Sequence, residues 1–339
     1  MLHNQFKNRY VAILHSKIKD HAGPDEQDTL IQMEAIQSAL TALGLEVITI
    51  PFTFDFAAIS KVLYQYDPIA IFNLVESIEG KARFVHVIPA FLQQIHMPFT
   101  GSDERALFIS NDKIICKNLL NVAQIPTPAW FDRSTLEQVQ SVLNQPYIIK
   151  STIEEGSIGI DKTSIAQDPQ ALLSIMAQRE KQFGGKWFAE RYIEGREFNI
   201  SLLADSRGNP EILPIAEIQF IDFAVDQPRI VDYAAKWDAD CKEYHNTLPH
   251  FDFAPTDKGL LKVLSELALK CWHYLGLAGY ARVDFRVDEH GQPWVLEVNT
   301  NPCLAKYAGF FAAAARVNMS YETIIERIIE DALLRSKIN

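Results

Sequence analysis

The chain has 339 residues, 48% of them hydrophobic, and a net charge of −11; its mean hydropathy is −0.04. That length suffices for two or three packed units. Charges of both signs are scattered with no basic block, which excludes an electrostatic footprint for nucleic acid but leaves small phosphate-bearing ligands open to local lysines and arginines. No run of eighteen apolar residues occurs, so no membrane span is expected. Tyr10–Leu14 reads as a short buried strand and not as a signal-peptide core. Cys116, Cys241, Cys271 and Cys303 form no CxxC pair and read as reduced thiols of a cytoplasmic protein.

In chain order, Val11–Leu14 predicts a strand. Thr29–Leu43 predicts a helix, with Leu30, Met33, Ile36, Leu40 and Leu43 at helical spacing and Gly44 ending it; Glu46–Ile50 is a second strand. Ile69–Leu74 is a third, followed by a helix over Phe84–Gln94. This strand–helix alternation predicts a small doubly wound α/β sheet. Asn111–Ala123 is amphipathic and is stopped by Ile125-Pro126-Thr127-Pro128. Leu136–Leu143 reads as helix, and Tyr147–Lys150 as a strand running into a loop, Ser151–Ile160, that carries Gly156 and Gly159. Trp187–Ile193 and Glu197–Ala204 are strands flanking Glu194-Gly195, and Lys258–Leu275 is a long helix. Tyr280–Val287 and Pro293–Asn299 form a hairpin around Asp288–Gly291, and Glu322–Leu334 is read as a surface helix. No repeat or flexible linker interrupts the chain.

The hairpin carries the strongest chemistry. Side chains two apart on a strand share a face, which groups Arg282 with Asp284 and Glu297 with Asn299, and the hairpin brings the pairs together. Two carboxylates and an amide oxygen make a hard oxygen site suited to Mg²⁺ bound jointly with nucleotide phosphates. Ordinary cross-strand charge pairing is the plainer alternative, but it leaves the polar run Glu297–Pro302 unexplained.

The run RVDFRVDEHGQPWVLEVNTNP from Arg282 resembles the C-terminal signature of ATP-grasp enzymes, most closely the D-alanine–D-alanine ligase family. Met97–Pro128 is similar to the segment that opens their ATP-grasp domain, and YIIKSTIEEGSIGI, AERYIEGREFNI and DYAAKW follow in the family's order. The resemblance covers about residues 70–335. It implies an α/β ATP-grasp fold with an N-terminal pre-ATP-grasp domain (1–112), a central subdomain (113–193) and a C-terminal subdomain carrying the metal site (194–339). It also implies ATP and Mg²⁺ as cofactors, two ions with Mn²⁺ as a substitute, small-molecule carboxylate and amine substrates, and homodimerisation.

The resemblance assigns residues as well. Lys113 and Lys150 would contact nucleotide phosphates. Glu154-Glu155-Gly156-Ser157-Ile158-Gly159 would be the mobile glycine-rich loop over them, its backbone N–H groups serving as anion donors. Glu190, Arg191, Tyr192 and Ile193 would meet the adenine, Glu197 the ribose hydroxyls, and Leu296 the adenine face. Lys236 would lie on a loop folding over the triphosphate, and Asp284, Glu297 and Asn299 would ligate the metal. Arg282, with Lys236 and Ser157, completes the expected catalytic set, Arg282 steadying the transferred phosphoryl and then the oxyanion.

The chain departs from the family at the substrate end. Cys303 stands where a glycine follows the motif's proline, and Ala308 and Gly309 replace the pair that holds the acceptor carboxylate, leaving Lys306 or Tyr307 as candidates. Gly23–Asp28 replaces the usual N-terminal substrate loop, with Asp25 or Glu26 available to a substrate ammonium, and Glu76 and Glu79 are candidates for the cleft wall. Three readings remain at this stage: a peptide-bond ligase of the D-alanine–D-alanine type or a divergent relative, a ligase for a non-amino-acid carboxylate, and a nucleotide-binding protein without ligase activity. Intact lysines, Arg282 and metal-ligand candidates weigh against the last.

Overall fold

The computed structural model describes residues 7–18, 23–139, 141, 143–154, 156–224 and 226–337. Its first layer comprises β1 (Tyr10–Ser16), α1 (Pro24–Ala42), β2 (Glu46–Phe52), α2 (Phe56–Tyr66) and β3 (Ala70–Leu74), followed by α3 (Val87–Gln94) and α4 (Glu104–Asn111). The three strands are parallel in the order β2-β1-β3. Both faces are covered, as a parallel sheet requires. Val11 and Ile13 face a core with Ile36 and Leu40 of α1, while Ala12 and Leu14 face Ile59 and Leu63 of α2.

The second sheet follows α5 (Lys113–Val122) and contains β4 (Trp130–Phe131), β5 (Tyr147–Ser151), β6 (Ile165–Ala166) and β7 (Trp187–Arg191), with α6 (Arg133–Leu136) and α7 (Pro169–Phe183) between them. It is antiparallel in the order β4-β7-β5-β6. The third sheet is built from β8 (Arg196–Ala204), β9 (Pro210–Ile212), β10 (Ala216–Phe220), β11 (Thr247–His250), β12 (Tyr280–Val287) and β13 (Pro293–Asn299) in the order β11-β10-β8-β12-β13, with β9 beside β8. Short helices α8 (Tyr233–Trp237) and α9 (Lys242–Asn246) and the long α10 (Lys258–Leu275) lie within this stretch; α11 (Gly309–Ala315) and α12 (Tyr321–Arg335) close the chain.

The predicted strands and the long helix fall where alternation and helical spacing put them, and β4, β6, β9, β10 and β11 are additional. Three readings need correction. The amphipathic stretch over 111–123 is the second of two helices, because Asp112 breaks the run and accepts N–H bonds from Ile114 and Ile115 as the cap of α5. The helix read at Leu136–Leu143 is the short α6, three residues earlier, capped by Asp132, whose carboxylate accepts from Thr135 N. The C-terminal helix is not a surface helix: Ile324, Ile325, Ile328 and Ile329 are fully or almost fully buried against α1 and β8. Each such side chain contributes about 1.5–3 kcal/mol of burial.

Candidate active site

A cleft of about 400 Å³ lies between the second and third sheets and is roofed by two loops. Its floor is a regular array. On β12 the even residues Arg282, Asp284 and Arg286 face the cleft, while Ala281, Val283, Phe285 and Val287 enter the core below. Register then sets their neighbours. Glu197 lies across from Arg286, Asn199 from Asp284 and Ser201 from Arg282 on β8; Glu297 lies across from Asp284 and Asn299 from Arg282 on β13. The expected hairpin constellation is thus assembled, with β8 completing each row.

A β-bulge between Asp284 and Phe285 perturbs β13. Consecutive strand residues normally face opposite ways, yet Leu296 and Glu297 both line the cleft because the extra residue re-aims the strand there. One local irregularity therefore presents an apolar surface and a carboxylate side by side.

Cations balance the carboxylates of this region. Arg282 grips Asp284 with two bonds, Nε to Oδ1 at 2.7 Å and Nη2 to Oδ2 at 2.8 Å, and Asn199 Nδ2 adds a third at 2.9 Å. Lys113 Nζ lies 3.1 Å from Glu297 and donates to the Glu154 carbonyl at 3.0 Å. Burial alone would raise the Glu297 pKa, but Lys113, Lys236 and Lys150 outweigh it and hold the carboxyl at about 2. Burial works against the Arg282 charge, and Asp284 more than restores it. Lys236, lodged deep in the cleft, is pushed below the usual lysine range by burial and by Arg282, against the pull of Glu297 and Asp284. Arg286 pairs with Glu197 at 2.7 Å.

Glu190 is nearly sealed, 1% exposed, between Lys117 at 2.5 Å and Lys150 at 2.7 Å. Burial opposes its charge, and the two lysines prevail and keep it below the ordinary carboxylate range. Burial likewise pulls Lys117 below the lysine range while Glu190 pulls it back. Arg191, Tyr192 and Ile193 continue along the cleft wall toward Gly195, where a Cβ would sit 2.0 Å from the Val287 carbonyl at φ +144°; only glycine fits this crossing between β7 and β8.

Two loops form the roof. Ser157 Oγ donates to the Val231 carbonyl at 2.7 Å, and Trp237 Nε1 donates to the Gly156 carbonyl at 3.0 Å, joining the glycine-rich loop to the segment bearing Lys236. Gly156, Ser157 and Ile158 line the cleft. Gly159 does not: a Cβ there would meet Trp187 at 2.5 Å, so it serves packing of the loop against β7 and departs from its expected place at the nucleotide. Glu155 lies outside the described residues, as does the side chain of Asp25.

The end of the cleft near α1 is built differently. Asp28 of α1 is 4% exposed and accepts from Gln32 Nε2 at 2.8 Å, from Cys303 Sγ at 3.3 Å and from the Tyr307 hydroxyl. Burial and Asp28 both raise the Cys303 and Tyr307 pKa values, so both stay protonated donors. Tyr307, Ala308, Gly309 and Glu76 line this end, whereas Lys306 turns its ammonium onto the Tyr321 ring at 5.1 Å and Glu79 reaches neither cavity. A second cavity of about 240 Å³ adjoins the cleft beyond Ser16, at the C-terminal end of β1; Glu26, Glu76, Glu154 and Trp237 are on its walls.

Sequence reasoning passed over Lys117, Asn199, Arg286, Trp237 and Asp28. Arg286 was within reach, since it continues the Arg282–Asp284 alternation, and Lys117 lies one helical turn after Lys113. Asn199 and Asp28 depend on long-range register and packing.

Set beside solved proteins, this arrangement is similar throughout its length to D-alanine–D-alanine ligase from Bacillus anthracis. The structure complexed with ATP gives a TM-score of 0.73 at 21% identity, over 97% of this chain and 99% of that one; a second structure of that ligase gives 0.75 with the same coverage. The fold is the ATP-grasp fold. A family model described as D-ala D-ala ligase C-terminus matches residues 118–330. D-alanine–D-alanine ligase of Bordetella avium is 31% identical over 250 residues, covering 72% of this chain and 73% of its own. That of Methylococcus capsulatus is 30% identical over 263 residues, 77% of each chain. An uncharacterised protein of Sinorhizobium fredii is 29% identical over 271 residues, 78% and 76% of the two chains. The chain belongs to the D-alanine–D-alanine ligase family.

Proposed function

We propose that the protein is an ATP-dependent ligase that forms a peptide bond by activating one substrate's carboxylate as an acyl phosphate and passing the acyl group to an amine. The observation that carries this reading is the array on the third sheet, where Arg282, Asp284, Glu297 and Asn299 share one face beneath Lys113, Lys150 and Lys236. Membership of the family supports it.

Each group then has a task. Lys113 and Lys150 hold the phosphates as compact cations, with Gly156–Ile158 and Lys236 above them. Backbone groups of Glu190–Ile193 read the adenine edge, Glu197 receives the ribose hydroxyls, and Leu296, re-aimed by the bulge, packs on the base. Asp284, Glu297 and Asn299 are a hard oxygen set of the kind Mg²⁺ takes together with phosphate oxygens, and their chemistry fits two such ions with Mn²⁺ as a substitute. Bound there, the metal would neutralise charge on the transferring phosphoryl group. Arg282 steadies that group and then the oxyanion formed when the amine attacks. The carboxylate attacks the γ-phosphorus and ADP leaves; the amine nitrogen then attacks the acyl carbon, loses a proton, and phosphate departs.

The second cavity is the place for the carboxylate donor, and the Asp28–Tyr307 end is the place for the amine. D-Alanine is the substrate that the relatives' names suggest for both. The three sheets support domain boundaries near 112/113 and 193/194, with the protein acting as a homodimer in the cytoplasm.

The test is release of ADP and phosphate with ATP and Mg²⁺ against D- and L-amino acids, singly and in pairs, with products weighed by mass spectrometry. A dipeptide mass matching the phosphate released is expected. Nucleotide binding with no turnover across amino acids and simple carboxylates would contradict the reading.

A further inference from the structure

Glu190 stands next to Lys150 on the cleft wall, and this juxtaposition poses an electrostatic problem. An ion pair with a carboxylate 2.7 Å away cancels most of the charge that Lys150 could present to a phosphate. The structure contains a third member. Lys117 Nζ sits 2.5 Å from the other Glu190 oxygen, its side chain is 2% exposed, and it does not line the cleft. Its second bond, 2.7 Å to Thr127 Oγ1, is relayed at 2.8 Å to the Val295 carbonyl, next to Leu296 and Glu297.

We propose that Lys117 is a positioning residue for the nucleotide: it neutralises Glu190 from the protein interior, so that Glu190 orients Lys150 without consuming its charge. With all three ionised the group carries a formal charge of +1, and Lys150 is its only cation lining the cleft. A Lys150–Glu190 pair by itself would be neutral. A buried carboxylate shared by two lysines also has a fixed geometry, since its two oxygens are committed to opposite sides. Through Thr127 the same lysine ties α5 to β13, the strand bearing Leu296 and Glu297.

This inference rests on the reading of Lys150 as a phosphate contact. It is tested by measuring the Kd for Mg·ATP and the melting temperature of wild type, Lys117→Met, Lys117→Arg and the double variant Lys117→Met/Glu190→Gln. Lys117→Met should weaken ATP by about tenfold, the loss of roughly one charge-assisted contact, while Lys117→Arg should stay within about threefold of wild type. The discriminating variant is the double one. It restores a net +1 by removing both buried charges, and swapping a buried pair for neutral groups is often tolerated. It should bind ATP several-fold more tightly than Lys117→Met, recovering the charge lost there, while staying weaker than wild type because Lys150 has lost the carboxylate that orients it. A merely structural lysine predicts a double variant no better than the single one, and that result overturns the proposal. Should Lys117→Met fail to fold, a folded double variant that still binds ATP supports the proposal and one without ATP affinity overturns it. Wild-type protein that binds no Mg·ATP would overturn the nucleotide-site reading together with this inference, whereas wild-type binding with an unaffected Lys117→Met overturns this inference alone.

Discussion

The two ends of the cleft handle buried charge in opposite ways. At the end proposed for the nucleotide, four wall carboxylates are matched to protein cations: Glu190 to Lys117 and Lys150, Glu197 to Arg286, Asp284 to Arg282 and Glu297 to Lys113. At the substrate end Asp28 is received by an amide, a thiol and a phenol, with no cationic partner among the described residues. The first end is an organised field into which a polyanion and its counter-ions can enter without rearranging the wall, the condition for electrostatic preorganisation. The second sets a carboxylate among neutral donors, an arrangement suited to the ammonium group of the proposed amine substrate.

Substitutions at the two ends should therefore separate. The largest effect is expected from Glu297→Gln, which keeps shape but removes the charge shared by Lys113 and the proposed metal. Phosphate release should fall by about 10²–10³-fold, the scale seen when one transition-state electrostatic contact is lost, with the circular dichroism melting curve little changed; undiminished turnover would remove the metal assignment. Lys236→Ala comes next. Its loss should raise the KM for ATP or lower kcat by about tenfold, the cost of one charge-assisted hydrogen bond, and unaltered steady-state kinetics would mean that its loop does not close over the nucleotide. The smallest effect on nucleotide, and the sharpest on the comparison, belongs to Asp28→Asn. Affinity for ATP should stay within about twofold while the KM for the amine substrate moves by about tenfold, as expected when one charged hydrogen bond becomes neutral. If Asp28→Asn instead changed ATP affinity and spared the amine, the two ends would not be distinct.

The same contrast governs what the sequence made legible. At the end proposed for the nucleotide, Arg282 with Asp284 and Glu297 with Asn299 lie where period-two reasoning puts them, whereas Lys150 is picked out by the family resemblance. Even there, alternation alone would send Leu296 away from Glu297, and only the bulge explains why both face the cleft. Gly159 looked like its partner Gly156 because both are glycines in one loop, yet contact with Trp187 gives it a packing role. The helices α2, α4, α7, α8, α9 and α11 and the strands β4, β6, β9, β10 and β11 have no counterpart in the sequence reading. The C-terminal helix reads as surface because acidic residues are interleaved with its paired isoleucines, which recur once per turn and are buried. The substrate end was illegible for a plainer reason. Asp28 is 275 residues from Cys303 and 279 from Tyr307, and it meets them only when α1 packs against the segment following β13.

The central claim is that a carboxylate is activated by phosphoryl transfer. It is tested most directly by supplying the carboxylate substrate labelled with ¹⁸O in both oxygens, together with ATP, Mg²⁺ and the amine, and weighing the inorganic phosphate formed. The acyl-phosphate route predicts one ¹⁸O in each phosphate released with product. Product accompanied by unlabelled phosphate would contradict it.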